Sequence, residues 1–304
     1  MNAMPLRTTG DPLADQRFAL AQSYAGDGEW EIAADLMAQA LERAPDFAPG
    51  HVERGAILEK AGDMTAAALA YETALSCGAE DVAGAGLRLA RLRGLTPSGA
   101  PPAHVAALFD GYAERFESHL VGALGYCAPD LIAAAIRAAD PGRRFTRALD
   151  LGCGTGLMAD ALPVEVLDMA GVDLSGRMIS LARARNRYSE LYAGDMVPWL
   201  NRQSGADLVL AADVLVYVGA LEPVFAAVAG ALLPGGLFAF TVQSGPSSGY
   251  RLGDDLRFGH SESYLGICAE AHGLEVVSLG AAVTRHDAGR PVPGLLAVLR
   301  KGAP

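Results

Sequence analysis

The reading of this chain turns on Ala148-Leu149-Asp150-Leu151-Gly152-Cys153-Gly154-Thr155-Gly156. An apolar run ending in an acid, followed by glycines at alternate positions, reads as a strand that stops in a tight turn. Glycine accepts positive φ and lets backbone approach a ligand at the N-terminus of the next helix. A dinucleotide fingerprint is spaced Gly-x-Gly-x-x-Gly. Here the spacing is Gly-x-Gly-x-Gly, and Leu157 stands where the fingerprint's third glycine would fall. Asp150 precedes the first glycine, where a carboxylate suits a ligand amino group and would repel a pyrophosphate.

From Phe145 onward, short apolar runs alternate with helical stretches, the pattern of a parallel α/β sheet. Strands are expected near 146–151, 167–172, 189–193, 207–212, 236–243, 274–283 and 295–300, with helices near 156–161, 175–186, 195–201, 220–231 and 261–272. Asp173 closes Met169-Ala170-Gly171-Val172-Asp173, 21 residues past Gly152. An acid at that strand end accepts both ribose hydroxyl protons of any adenosyl ligand, so it does not by itself choose between cofactors. Asp195 and Met196 follow the third strand, Asp213 ends the fourth, and Leu232-Leu233-Pro234-Gly235-Gly236 announces the fifth.

Together these motifs resemble the class I S-adenosylmethionine-dependent methyltransferase core over about residues 145–304. The resemblance implies an α/β, Rossmann-like seven-stranded sheet with S-adenosyl-L-methionine as cofactor and S-adenosyl-L-homocysteine as product. It implies that Asp150 and the turn Gly152, Cys153, Gly154 and Gly156 hold the methionine end. Asp173 takes the ribose, Leu174 lines the adenine pocket, Asp195 and Met196 read the adenine, and Asp213 belongs to the methionine or acceptor side. Cys153 is expected as the small residue the turn needs, not as a nucleophile. A nucleotide-dependent oxidoreductase is disfavoured by the glycine spacing and by Asp150.

Working towards the N-terminus, Thr96-Pro97-Ser98-Gly99-Ala100-Pro101-Pro102 breaks helix and reads as a boundary. After it, Leu108, Phe109, Tyr112, Phe116 and Leu120 give one apolar face to a helix expected from His104 to Leu124. The string Phe109 to Leu120 is similar to the helix that lies over the cofactor in a bacterial subgroup of methyltransferases carrying tetratricopeptide repeats. A second helix is expected from Asp130 to Ala139. Before the boundary, an offset of 34 pairs Ala21 with Gly55, Tyr24 with Leu58, Gly28 with Gly62, Ala33 with Ala67, Met37 with Tyr71 and Ala40 with Ala74. This resembles the tetratricopeptide repeat, although Ala79 stands where the first copy has Pro45. A third helix, roughly Asp81 to Arg93, reads as a truncated copy or cap. The expected division is therefore 1–96 helical repeats, 97–144 linker and lid, and 145–304 methyltransferase core. The repeats are expected either to bind a protein partner or to serve packing and dimerisation.

Composition bounds the rest. A chain of 304 residues favours about two domains. Net charge is −11, and both parts are acidic, which argues against a nucleic-acid surface. No apolar run reaches the ~18–20 residues of a membrane span. Met1 to Arg7 lacks an apolar signal core, and four scattered cysteines form no CxxC, so a cytoplasmic protein without zinc or disulfides is expected. Arginine outnumbers lysine 22 to 2, which suggests a GC-rich bacterial genome.

The acceptor side is expected from the lid (Tyr112, His119), from Tyr217 after the fourth strand, and from a mobile Gly/Ser insert beginning at Gln243. Arg251 and Tyr264 fall in and beyond that insert. Arg285 falls in Thr284 to Gly294, read as a long loop between the last two strands. His260 is the candidate general base, because histidine titrates near neutral pH. Arg251, Arg257 and Arg285 either bind an anionic acceptor or pair with Asp254 and Asp255. No Asn/Asp-Pro-Pro-Tyr or Pro-Cys string follows the fourth strand, so a small molecule or protein side chain is expected as acceptor. A non-catalytic adapter is the alternative.

Overall fold

The computed structural model describes residues 8–78, 80–162 and 165–302. The chain divides into two compact units, the first ending at Pro97 and the second beginning at Ser98. The segment read as linker and lid thus packs with the core.

The first unit is all helical: α1 (Pro12–Gly26), α2 (Trp30–Arg43), α3 (Ala48–Ala61), α4 (Met64–Ser76) and α5 (Ala85–Leu92). Consecutive helices pack against one another, α1 on α2, α2 on α3, α3 on α4 and α4 on α5. Ala21, Ala33, Met37, Ala40, Ala67, Tyr71 and Ala74 are all buried in one core. Gly28 and Gly62, 34 residues apart, turn the chain between paired helices with φ of 83° and 87°. A Cβ on Gly55 would lie 2.5 Å from the Tyr71 ring, so the larger residue of the second pair fills the space its glycine leaves. Ala79 lies outside the described residues.

The second unit opens with α6 (Pro102–Tyr112), a 3-10 turn (Ala113–Arg115) and a π-helical turn (Ser118–Ala123), followed by α7 (Ala128–Ala139). The single lid helix expected from His104 to Leu124 is thus broken into three conformations. The alternation that follows is β1 (Phe145–Leu151), α8 (Leu157–Ala161), β2 (Val166–Asp173), α9 (Gly176–Ala184), β3 (Glu190–Ala193), α10 (Met196–Leu200), β4 (Ala206–Ala211), α11 (Glu222–Ala231) and β5 (Leu232–Ser244). It ends in β6 (Tyr250–Leu252), β7 (Phe258–His260), α12 (Glu262–Ala271), β8 (Leu274–Asp287) and β9 (Arg290–Lys301).

The main sheet runs β3-β2-β1-β4-β5-β9-β8; β9 alone is antiparallel to its neighbours. A dinucleotide-binding sheet is parallel throughout in the order 3-2-1-4-5-6, so the reversed β9 separates this fold from that one. Side chains alternate between two dry faces, as parallel strands covered on both sides require. Leu149, Val209, Phe238 and Phe240 face one core, against Phe225 and Leu265. Ala148, Leu208, Leu210 and Leu237 face the other, against Ile132, Ile136 and Met158.

Among the described residues the sheet has nine strands, not the seven expected. Of the extra two, β6 lies in the insert from Gln243 to Leu252 that was expected to be mobile, and β7 lies in the stretch that follows it. β7 pairs with β5 at Gln243 and Ser244, beyond the last β4 pairing at Phe240, and β6 pairs with β7. A Cβ on Gly245 would sit 2.3 Å from the Gly259 carbonyl carbon, so glycine is what lets these backbones cross. The expected long loop from Thr284 to Gly294 is also replaced. β8 and β9 extend through it and turn at Ala288-Gly289, with φ of 47° and 74°, the paired left-handed geometry of a tight hairpin. Pro291 and Pro293 are tolerated because β9 has already left β5 at Gly294, so their missing N–H groups cost no ladder bond there.

Candidate functional site

The C-terminal ends of β1 and β4 flank the point where the strand order reverses, the place where open α/β sheets bind ligands. Gly152, Gly154 and Gly156 all take positive φ (62°, 55° and 95°) and carry the chain from β1 into α8. A Cβ on Gly152 would fall 2.3 Å from Val214, so this turn is pressed against the segment after β4.

Asp173 ends β2 and accepts from the Gly154 amide at 2.9 Å and the Ser175 amide at 2.8 Å. Burial raises its pKa, offset in part by those two amides. Asp150 is buried, and its Oδ2 accepts from the Tyr188 hydroxyl at 2.7 Å. Burial holds its pKa at about 7, with Tyr188 lowering it and Asp173 adding to the rise. Cys153 is buried, and burial pushes its thiol well above the ordinary range, so it is no thiolate nucleophile. Asp195 is exposed, caps α10 by accepting from Val197 N at 2.8 Å, and stands beside Met196, which packs on the core. Leu174 is half-buried beside Asp173.

The lid lies over this loop. Phe116 is 3.9 Å from the place a Gly154 Cβ would occupy. Asp110 on α6 accepts from the Ser175 hydroxyl at 2.5 Å and from the Arg177 amide at 3.2 Å, tying the lid to the start of α9 beside Asp173. Phe109, Phe116, Tyr112 and Tyr217 form a row of edge-to-face rings: Phe109 is 6.2 Å from Phe116 and 5.5 Å from Tyr217, and Tyr112 is 5.5 Å from Phe116. Tyr112 also meets His119 through its hydroxyl and the ring Nδ1.

At the end of β4, Asp213 takes φ of 53°, an uncommon conformation outside glycine. Its carboxylate accepts from Thr241 at 3.0 Å, from Thr284 at 3.1 Å and from Arg285. Asp213 was expected to face the methionine or acceptor; its acceptor capacity is instead engaged by β5 and β8. Arg285 is 5% exposed, donates also to Gln243 Oε1 at 3.3 Å, and is a structural ion-pair partner rather than an open substrate ligand.

Two further expectations are corrected. His260 is fully buried on β7, with Nε2 on the Gly219 carbonyl at 3.0 Å and its ring stacked on Tyr264. Burial lowers its pKa, so it is a neutral packing residue, not a base open to an acceptor. Tyr264 is buried too; its hydroxyl donates to Glu222 and accepts from the Leu221 amide, both at 2.8 Å. Arg251 is exposed on β6.

The residue that pattern reading missed is Tyr126. Cys127 N donates to Thr284 O at 2.9 Å and His286 N to Leu124 O at 2.8 Å, lashing the end of the lid to β8. Burial, then Asp213 and Asp150, push the Tyr126 phenol well above its usual pKa. Its phenol stays protonated, within electrostatic range of both carboxylates. No period or motif announces a lone tyrosine after a glycine. Among the described residues no group of three or more His, Cys, Asp or Glu side chains is placed to hold a metal, and no helix is long and apolar enough to cross a membrane.

Residues 149–240 match the family model described as a methyltransferase domain. The chain is 34% identical over 94 residues to a trans-aconitate 2-methyltransferase of Paracidovorax citrulli, covering 30% of this chain and 36% of that protein. It is 32% identical over 97 residues to one from Variovorax paradoxus, covering 31% and 37%. The matched stretch thus spans little more than a third of either relative. Among solved structures, the DhpI–SAH complex aligns at 22% identity and a TM-score of 0.49, covering 67% of this chain and 98% of that one. A Clostridium acetobutylicum S-adenosylmethionine-dependent methyltransferase aligns at 17% and 0.49, covering 64% and 100%. The second unit has an α/β, Rossmann-like methyltransferase fold, and the matching domain supports S-adenosylmethionine as its cofactor. The residues fit that ligand: the buried carboxylate of Asp150 suits its ammonium, the half-buried carboxylate of Asp173 suits its ribose, and the glycine turn leaves room at Gly154 up to the Phe116 ring, 3.9 Å from where a Cβ would lie.

With Asp150 as the partner of the ligand's ammonium, cofactor affinity is expected to depend on pH. In the free protein its carboxyl titrates at about 7, and a bound ammonium favours the ionised form. Below pH 7 binding must therefore expel a proton, and affinity should fall by up to about tenfold per pH unit. Calorimetry between pH 5.5 and 8 should show that slope in wild type and a flat, weaker profile in Asp150→Asn. The ligand-free protein should behave oppositely. The folded carboxyl keeps its proton from about pH 4 to 7 while the unfolded one has lost it, so stability falls as pH rises through that window.

Proposed function

We propose that the chain is an S-adenosylmethionine-dependent methyltransferase acting on a small-molecule or protein acceptor, working in the cytoplasm. Its N-terminal helices serve as a tetratricopeptide-type module that docks a protein partner or a second copy. The observation that carries the catalytic reading is the glycine turn with buried Asp150 and half-buried Asp173 beneath the lid, inside the segment that matches the methyltransferase model. The cofactor supplies an activated methyl group on a sulfonium. The protein's part is to align the acceptor with it and keep water out. Asp110 and Phe116 hold the lid over the turn, and the protonated Tyr126 phenol lies within electrostatic range of Asp213. The repeat reading is supported by the 34-residue pairing and by the apolar side chains of Leu13, Leu20, Ile32 and Leu69, which stay exposed on the helices.

Calorimetric titration with S-adenosylmethionine, S-adenosylhomocysteine and NAD tests the cofactor. Micromolar binding of the two adenosyl-sulfur ligands without NAD supports the proposal; preference for NAD, or no binding, overturns it. The names of the matched relatives make trans-aconitate the first acceptor to assay.

A further inference from the structure

The three glycines of the turn after β1 meet different neighbours. A Cβ on Gly152 would strike Val214, and one on Gly154 would meet the Phe116 ring at 3.9 Å. A Cβ on Gly156 would lie 2.9 Å from Cδ of Arg185 and 3.1 Å from the Tyr188 ring. The third glycine thus leaves the space through which the Arg185 side chain crosses the turn.

Arg185 is the C-cap of α9, and its guanidinium holds three elements at once. Nε donates to the Thr155 carbonyl inside the turn at 2.5 Å. One terminal nitrogen pairs with Asp160 on α8, and the other pairs with Glu117 in the lid. A rigid planar fork suits such a junction, because its donors point in fixed, different directions. At the other end of α9, the N-cap Ser175 donates to Asp110 on α6. The lid is therefore fastened at both ends of the helix that follows Asp173. Further on, Leu124 and Cys127 are bonded to β8.

Residues 113–123 form a strap between these fixed ends. Its backbone is a 3-10 turn followed by a π-helical turn, conformations that often mark hinges. Phe116, the ring over Gly154, adjoins Glu117 in the strap. The Glu117 side chain is 46% exposed and that of Arg185 23%, so water competes for the pair and it can open. A ligand seated on the glycine turn has to pass this strap to enter or leave.

We infer that the Glu117–Arg185 pair is a latch on the strap, gating entry of the cofactor and release of its product. This rests on the methyltransferase reading, and the experiment keeps the two apart. A latch made entirely of protein groups holds the strap alike with and without ligand. Opening it speeds association and dissociation by one factor and leaves affinity unchanged, whereas a lost ligand contact speeds dissociation alone.

Dissociation of isotopically labelled S-adenosylhomocysteine is followed after excess unlabelled ligand is added. Calorimetry gives Kd, and the two together give the association rate. Glu117→Ala should raise both rates about two- to fivefold, the scale of a partly exposed ion pair, with Kd kept within about 1.5-fold. Asp160→Asn removes the other carboxylate from the same guanidinium without touching the lid, and should leave both rates as in wild type. Raising salt from about 0.05 to about 0.5 M should speed exchange in wild type more than in Glu117→Ala. Amide hydrogen exchange of the ligand-free protein should quicken across residues 113–123 in Glu117→Ala, not in Asp160→Asn, and stay unchanged elsewhere, which also reports that the variants are folded. Wild-type rates in Glu117→Ala, faster dissociation alone, or an equal rise in Asp160→Asn would overturn the inference. Failure of S-adenosylhomocysteine to bind wild type overturns the methyltransferase reading instead; hydrogen exchange then decides the latch by the same comparison of variants.

Discussion

Asp173→Ala should lower affinity for S-adenosylmethionine by roughly 10²–10⁴-fold. Two charge-assisted hydrogen bonds to a ribose diol, each about 1.5–3 kcal/mol, set that scale. The same carboxylate orders the cofactor turn, because it accepts from Gly154 N and Ser175 N. Alanine therefore removes a ligand contact and loosens the turn together. Asp173→Asn keeps one carbonyl acceptor and should lose less. Calorimetry on both variants, with thermal melts showing that the fold is kept, separates the terms. Affinity of the alanine variant within threefold of wild type would remove Asp173 from the ribose site.

The core strands were legible because they are buried on both faces. Each centres on a short apolar run, such as Met169 to Val172, Leu208 to Ala211 and Leu237 to Phe240, and the glycine turn after β1 has a spacing of its own. What failed to show was set by partners distant in sequence. The insert after β5 looks mobile from its glycines and serines, yet Gly245 and Gly259 are there so that two backbones can cross. His260 reads as a base on an open loop, until the pairing of Ser244 with His260 carries it inside. The stretch after Thr284 is rich in glycine and proline and reads as loop. Its prolines fall where β9 has no second neighbour, so the hairpin survives them. Tyr126 carries no pattern at all; two backbone bonds to β8 place it.

Arg285 shows the same limit most sharply, since its carboxylate partner lies 72 residues earlier in the chain. Asp213→Ala should cost the second unit about 3–5 kcal/mol, because it strands a guanidinium that is 6% exposed with Gln243 as its remaining acceptor. For a unit of this size that is a fall in Tm of order 10 °C. Arg285→Met should cost less, since Thr241 and Thr284 still donate to Asp213. Removing both charges, as Asp213→Leu with Arg285→Met, should recover most of the loss, because packed apolar side chains avoid the desolvation that the ion pair must offset. Denaturant titration of the two single variants and the double variant gives the coupling directly. Single variants within 1 kcal/mol of wild type would mean that the pair is relaxed into solvent. A double variant that regains stability while methyl transfer stays low would mean that the pair is kept to hold β4, β5 and β8 in register around the acceptor, not to hold the fold together.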